Sequence, residues 1–238
     1  MKLLCVLLLL LTHVASTACD TQSKAVPYAE YTPEEKARVA LDKKDFPEAI
    51  RLYKEVIAAN PTGYESYRFL SAAYAEQGGF DIVTAITGTI DSNGSSLIDT
   101  LSNFLPTEPS EAQIESLRLA TETLMLLPAE YRSYDNPAIE TSSSAAQQLQ
   151  FYQTAYSLIY IKKFTKVTET GALDISKLEE MTDTDVDHIL DNFEAIAETQ
   201  GGGVVAEGVE EFISQLDAAP GGTRREKLLA YLEAHPPS

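Results

Sequence analysis

A chain of 238 residues with 36 acidic and 18 basic side chains carries a formal net charge of −18. So strong an anion is repelled by phosphate backbones and anionic lipid headgroups, which argues against nucleic acid as a partner. Hydrophobic residues make up 44% of the chain, so it is globular rather than disordered, and about 220 residues beyond a leader suffice for one large or two small domains with a real core.

Lys2 precedes an apolar run at 3–11 and then the small residues Ala15, Ser16, Thr17 and Ala18, the order of an export signal, which places a signal peptide at 1–18. The run is far shorter than the ~20 residues that span a bilayer core, so removal rather than retention is expected. Small residues directly before Cys19 resemble the lipobox of bacterial lipoproteins, with Ser16 where a leucine is usual. The resemblance implies that Cys19 becomes the lipidated first residue of a membrane-anchored, periplasm-facing envelope protein, with the choice of inner or outer membrane open. Ordinary cleavage after Ala18, leaving a free thiol, is the alternative. Asp20 resembles the inner-membrane retention signal of enterobacterial lipoproteins. The only other cysteine, Cys5, lies in the leader, so the mature chain forms no internal disulfide.

From 19 to 31 the chain is polar, holds Pro27 and lacks periodicity, the pattern of a lipid-proximal tether. A helix is predicted to begin at Thr32, with Pro33 at the first helical position and Glu35 completing a capping box. Asp45-Phe46-Pro47-Glu48-Ala49-Ile50, Tyr53 and the closing Asn60-Pro61 then resemble the second helix of a tetratricopeptide (TPR) repeat. Tyr67, Leu70, Ser71, Tyr74, Gly78 and Phe80 match the first helix and turn of the next repeat, and Phe46 and Phe80 stand 34 residues apart, the period of that class. The resemblance covers 32–90 and implies two hairpins in which Ala37, Ala49, Ser71 and Val83 fall where paired helices approach closely. Lys36 departs from the repeat pattern, Thr84, Thr87, Gly88 and Thr89 weaken the last helix, and no third copy follows.

Asn93-Gly94-Ser95 reads as a turn in a bacterial protein and as a glycosylation acceptor in a eukaryotic secreted one. A short amphipathic piece at 97–105 is stopped by Pro106. Ser110 is placed to cap a helix through Leu127, along which Ile114, Leu117, Ala120 and Leu124 recur at helical spacing; Pro128 ends it. The segment 145–164 is apolar on nearly every side, as a buried central helix would be. Further helices are expected at 183–199, 204–216 and 223–234. The predicted fold is all-α: antiparallel TPR-like helical hairpins, two repeats over 32–90, continuing into a divergent helical bundle over 91–238 packed on the repeats.

Asp183, Asp185, Asp187, Asp191 and Glu194 imitate the oxygen ligands of a calcium loop, but His188 stands where the sharp turn needs glycine. A helix with Val186, Leu190 and Phe193 along one face, capped by Thr182 or Thr184, is the favoured reading, and no metal is expected. Gly201-Gly202-Gly203 reads as a helix stop, since no strand precedes it. Acidic residues crowd 168–217, where Lys177 is the single base, a pattern that usually marks a solvated face. His188 is the only internal imidazole, and no nucleophile or metalloprotease motif occurs. A non-enzymatic protein without cofactors is therefore expected, with a hydrolase using paired carboxylates as a weaker option.

The repeat resemblance places Arg38 and Arg68 on the groove face of adjacent hairpins, where two guanidinium groups could hold a carboxylate. It implies an envelope adaptor or scaffold that binds a protein or peptide through its helices. The runner-up resembles the TPR lipoproteins associated with TRAP transporters, whose helices enclose a ligand pore. Tyr152, Tyr156 and Tyr160, at helical spacing, would line such a cavity, although a stripe of this kind is more often core.

Overall fold

The computed structural model describes residues 28–91, 97–133, 136, 142–167, 173–197 and 203–235. The chain divides into two units, 1–32 and 33–238, so the bundle at 91–238 and the repeat stretch at 32–90, except for Thr32, belong to one unit. In the first unit Tyr28–Glu30 makes a single 3-10 turn, with Tyr28 edge-on to Tyr31 at 5.3 Å between ring centres.

The second unit is all-α. Its helices are α1 (Pro33–Asp42), α2 (Phe46–Ala59), α3 (Tyr64–Gln77), α4 (Ile82–Asp91), α5 (Leu97–Ser102), α6 (Glu111–Met125), α7 (Ser142–Phe164), α8 (Ile175–Leu178), α9 (Asp183–Ala197), α10 (Gly203–Ala218) and α11 (Arg224–Ala234). Among the described residues the extended structure is one antiparallel pair of two-residue strands, β1 (Lys166–Val167) and β2 (Leu173–Asp174), with Lys166 opposite Asp174.

Local chemistry sets the helix ends. Asp45 caps α2, its carboxylate accepting from the Glu48 N–H at 3.4 Å. Ser110 and Gln113 form a reciprocal capping box at the start of α6, and Thr223 and Glu226 do the same for α11. The turns after α1 and α3 share one form: Asp45 N–H donates to the Ala40 carbonyl and Phe80 N–H to that of Ala75, both at 2.9 Å. Each wraps around a residue in the left-handed region, Lys44 with φ 59° and Gly79 with φ 88°.

The two hairpins nevertheless differ in register. Asp45 precedes Phe46, the first residue of α2. In the second hairpin the capping residue is Asp81, whose carboxylate accepts from the Val83 and Thr84 N–H groups at 2.9 and 3.2 Å. Phe80 therefore lies one residue before its cap, where it is fully buried and meets Tyr152 edge-on at 6.1 Å. Phe46 and Phe80, matched by spacing, do not occupy equivalent positions.

The packing partners differ as well. α1 packs on α2 and α2 on α3, but α3 packs most extensively on α6 and only lightly on α4. Ser71 is small because α6 is close: its hydroxyl donates to the Ala120 carbonyl at 2.6 Å. A Cβ on Gly78 would come within 3.0 Å of Leu117 and of the Gln113 carbonyl. Ala37 and Ala49 are fully buried as expected, whereas Val83 is 70% exposed. The helix-facing position of α4 belongs instead to Ala85, which is fully buried, because the cap at Asp81 rotates Val83 outward.

α7 is the central element, touching α3, α5, α6, α9 and α10. Phe151, Tyr152, Ala155, Leu158, Ile159 and Ile161 are all buried, so the apolar character read around the whole helix corresponds to contact on several sides. The segment with the calcium-like acid spacing is continuous helix α9. Its Asp187, Asp191 and Glu194 converge on Arg224 of α11 at 3.0, 2.9 and 2.7 Å. Cys19 and the Asn93-Gly94-Ser95 turn lie outside the described residues.

Candidate binding clefts

Arg68 lies on α3, whose outer face is left uncovered where α4 departs to pair with α5. The result is a cleft of about 360 Å³ between α3, α4 and α7. Phe69, Ile82, Val83 and Ile86 give it apolar walls, while Glu65, Arg68, Ser144, Gln147 and Gln148 supply polar and charged groups. A site with apolar walls and few polar groups is the usual composition of a ligand-binding surface.

The Arg68 side chain is held on both sides. Its Nη1 pairs with Glu65, one turn earlier, at 2.9 Å, and its Nε donates to Gln148 Oε1 at 3.3 Å. The Gln148 amide in turn donates to the Arg68 carbonyl at 3.1 Å and to the Tyr152 hydroxyl at 3.0 Å. A buried glutamine on α7 thus fixes the orientation of the arginine, and Tyr152 fixes the glutamine. Burial pushes the Tyr152 phenol well above its ordinary range, with the Gln148 hydrogen bond acting the other way.

Arg38 is placed differently. It is exposed on α1 with its guanidinium over the Phe69 ring, 4.7 Å from the centroid. Phe69 also stacks on the buried Tyr53 at 5.7 Å. The two arginines are therefore related through Phe69, and Arg68 is already engaged by Glu65 and Gln148. A carboxylate clamped symmetrically by two free guanidinium groups does not match this arrangement.

The tyrosine stripe is committed to helix packing. Tyr152 is fully buried, the Tyr156 hydroxyl lies 2.8 Å from His188 Nε2, and the Tyr160 hydroxyl donates to Asp185 at 2.8 Å. His188 sits edge-on to both Tyr156 and Tyr160, 5.3 Å from each ring. None of the three tyrosines lines the Arg68 cleft or the other clefts described here.

A second cleft, of about 380 Å³, opens between α2, α3 and α6. Ile57, Leu70, Tyr74, Leu119 and Leu126 make it more apolar than the first, and Lys54 lies 5.5 Å over the Tyr74 ring at its edge. Leu126 and Met125 beside it are exposed. The sequence reading did not single out this cleft. Its signal was present only as Met125-Leu126-Leu127 at the helix end, of which Leu127 alone turns inward.

Compared with family models, curated proteins and solved structures, the chain matches none.

Proposed function

We propose that the chain is a non-enzymatic, membrane-tethered envelope adaptor that binds a peptide segment in the cleft between α3, α4 and α7. The observation that carries this reading is the pairing of a partly buried, pre-oriented Arg68 with the exposed apolar side chain of Val83 and the walls formed by Phe69 and Ile86. A guanidinium already fixed by Glu65 and Gln148 loses little side-chain freedom when a ligand carboxylate arrives. The complementary ligand is a short peptide in which an apolar residue precedes a carboxylate, either an acidic side chain or a C-terminus. The resemblance of 32–90 to TPR hairpins supports a protein-binding role, and the small residues before Cys19 support lipid anchorage.

Fluorescence anisotropy against an array of such peptides, each paired with its amidated or neutralised counterpart, tests the reading. Carboxylate peptides should bind at least about tenfold more tightly than their neutral counterparts, a difference of about 1.4 kcal/mol. R68Q should remove the preference, and R38A should weaken binding less, because Arg38 acts through Phe69. An R38A/R68A variant that binds every peptide as the unaltered chain does would end the proposal. For the anchor, the N-terminal mass of protein purified from a bacterial envelope should include a lipid on Cys19, and C19A should leave the membrane fraction.

A further inference from the structure

A different pocket lies where the last turn of α7 meets the first turn of α6. Lys162, Lys163, Thr165, Lys177 and Ser110 border a cavity of about 330 Å³, with Glu108 at its edge. Three of the chain's 18 basic residues meet here although acids outnumber bases two to one. Lys162 is only 6% exposed, and its ammonium has no ion pair or hydrogen bond among the described residues. Burial pushes its pKa down, with no neighbouring carboxylate to oppose that shift. The Lys162 stem is buried while its ammonium keeps solvent contact at the cavity, and a cation drawn this far out of bulk water with no carboxylate beside it favours an anion in that cavity.

The rest of the wall is predominantly basic, with Glu108 the one carboxylate among the lining side chains. Ser110 accepts from the Gln113 N–H, and Ile114 N–H bonds the Ser110 carbonyl. Ser110, the N-cap of α6, lines the cavity, so the positive end of the helix dipole lies at its wall. Lys177 is exposed and has no ion pair among the described residues. Lys163 is paired with Glu111 at 2.9 Å, and that carboxylate is largely solvated, so an incoming anion could displace it.

From this geometry we infer that the cavity is an oxyanion site for a phosphate or phosphate monoester, with Lys162 as the innermost cation and Lys163 and Lys177 as its outer partners. Three ammonium groups and a helix end offer more donors than a single carboxylate can use and suit a tetrahedral oxyanion with several acceptor oxygens, Glu108 and Glu111 offsetting part of the charge. The volume leaves room for a small group beyond the phosphate. The site is separate from the Arg68 cleft and does not depend on the peptide-binding reading.

The test is calorimetric titration of the full chain with inorganic phosphate and with glycerol 3-phosphate. In parallel, the chain is co-sedimented with phosphatidylcholine vesicles with or without phosphatidic acid. Binding with a Kd of about 1 mM or tighter is expected. K162M, which keeps the alkyl stem, and K177Q should each weaken it about tenfold, while K54Q, in another cleft, should leave it unchanged. Circular dichroism checks the fold of each variant. Should K162M not fold, K177Q carries the comparison, together with the lysine ammonium resonances, where phosphate should move Lys162 and leave Lys54 in place. Lysine-dependent binding of the soluble phosphates identifies a free monoester. Lysine-dependent binding to phosphatidic acid vesicles alone identifies a lipid headgroup. No binding in either arm, or equal binding by K162M and K177Q, overturns the inference.

Discussion

The Tyr160 hydroxyl donates to Asp185 Oδ1 at 2.8 Å, joining the end of the α7 tyrosine stripe to the first turn of α9. The other oxygen of the same carboxylate accepts from the Thr182 hydroxyl at 2.6 Å and the Thr182 N–H at 2.8 Å. Burial pushes the Asp185 carboxyl up, but these donors outweigh it and hold the group below its ordinary value of 3.8. A carboxyl depressed in the folded state contributes stability above its unfolded pKa and loses it as pH falls through the folded value. Y160F should therefore lower unfolding free energy by about 1–2 kcal/mol at neutral pH. The deficit should shrink in acid below about pH 4, where the carboxyl takes up its proton. Urea denaturation at several pH values checks this, and D185N should flatten the acid limb.

Gly88 lies within α4, where replacing glycine by alanine ordinarily stabilises by about 1 kcal/mol. Here a Cβ would overlap the Phe104 ring. G88A should therefore lower the melting temperature rather than raise it. In an F104L background, where the ring is gone, the same substitution should be less harmful. A double-mutant cycle by thermal denaturation measures the coupling, and additivity would show that the two positions do not press on one another.

Arg224 faces Asp187, Asp191 and Glu194, all partly solvated. Each exposed pair contributes little alone, but R224A leaves three carboxylates on successive turns of α9 without their cation. A loss of about 1 kcal/mol at low ionic strength is expected, fading as salt approaches about 1 M and the screening length falls to about 3 Å. Urea melts of R224A at low and high salt measure it. A salt-independent deficit would instead point to lost packing of the arginine stem.

Helix positions were legible because their signals are local. Ser110 marks a helix start that the structure keeps, the last helix lies within the expected 223–234, and Pro128 follows the end of α6. α7 was recognisable from its apolar circumference. The weak propensity around Gly88 suggested a poor helix, yet α4 runs from Ile82 to Asp91; the glycine there leaves space for Phe104. Partner choice was not legible. Ser71 has the small size that any close helix contact requires, and nothing in its neighbourhood tells α6 from α4. The offset between Phe46 and Phe80 was hidden because residue spacing cannot tell a residue before a cap from one after it. Arg68 could be picked out as a cation on a helix face, but its restraint by Gln148, 80 positions away, is a tertiary fact. The lysine pocket was missed because Lys162 and Lys163 stand beside apolar neighbours in a helix whose composition reads as core.

Because α7 is wrapped by helices from both earlier and later in the chain, neither flank can complete its own interior without it. Amides in the middle of α7 should then exchange with deuterium only when the entire fold opens, and the 33–238 region should melt in one transition. Partial clipping or truncation on either side would leave the remaining flank aggregation-prone, so such a protein persists whole or is cleared whole.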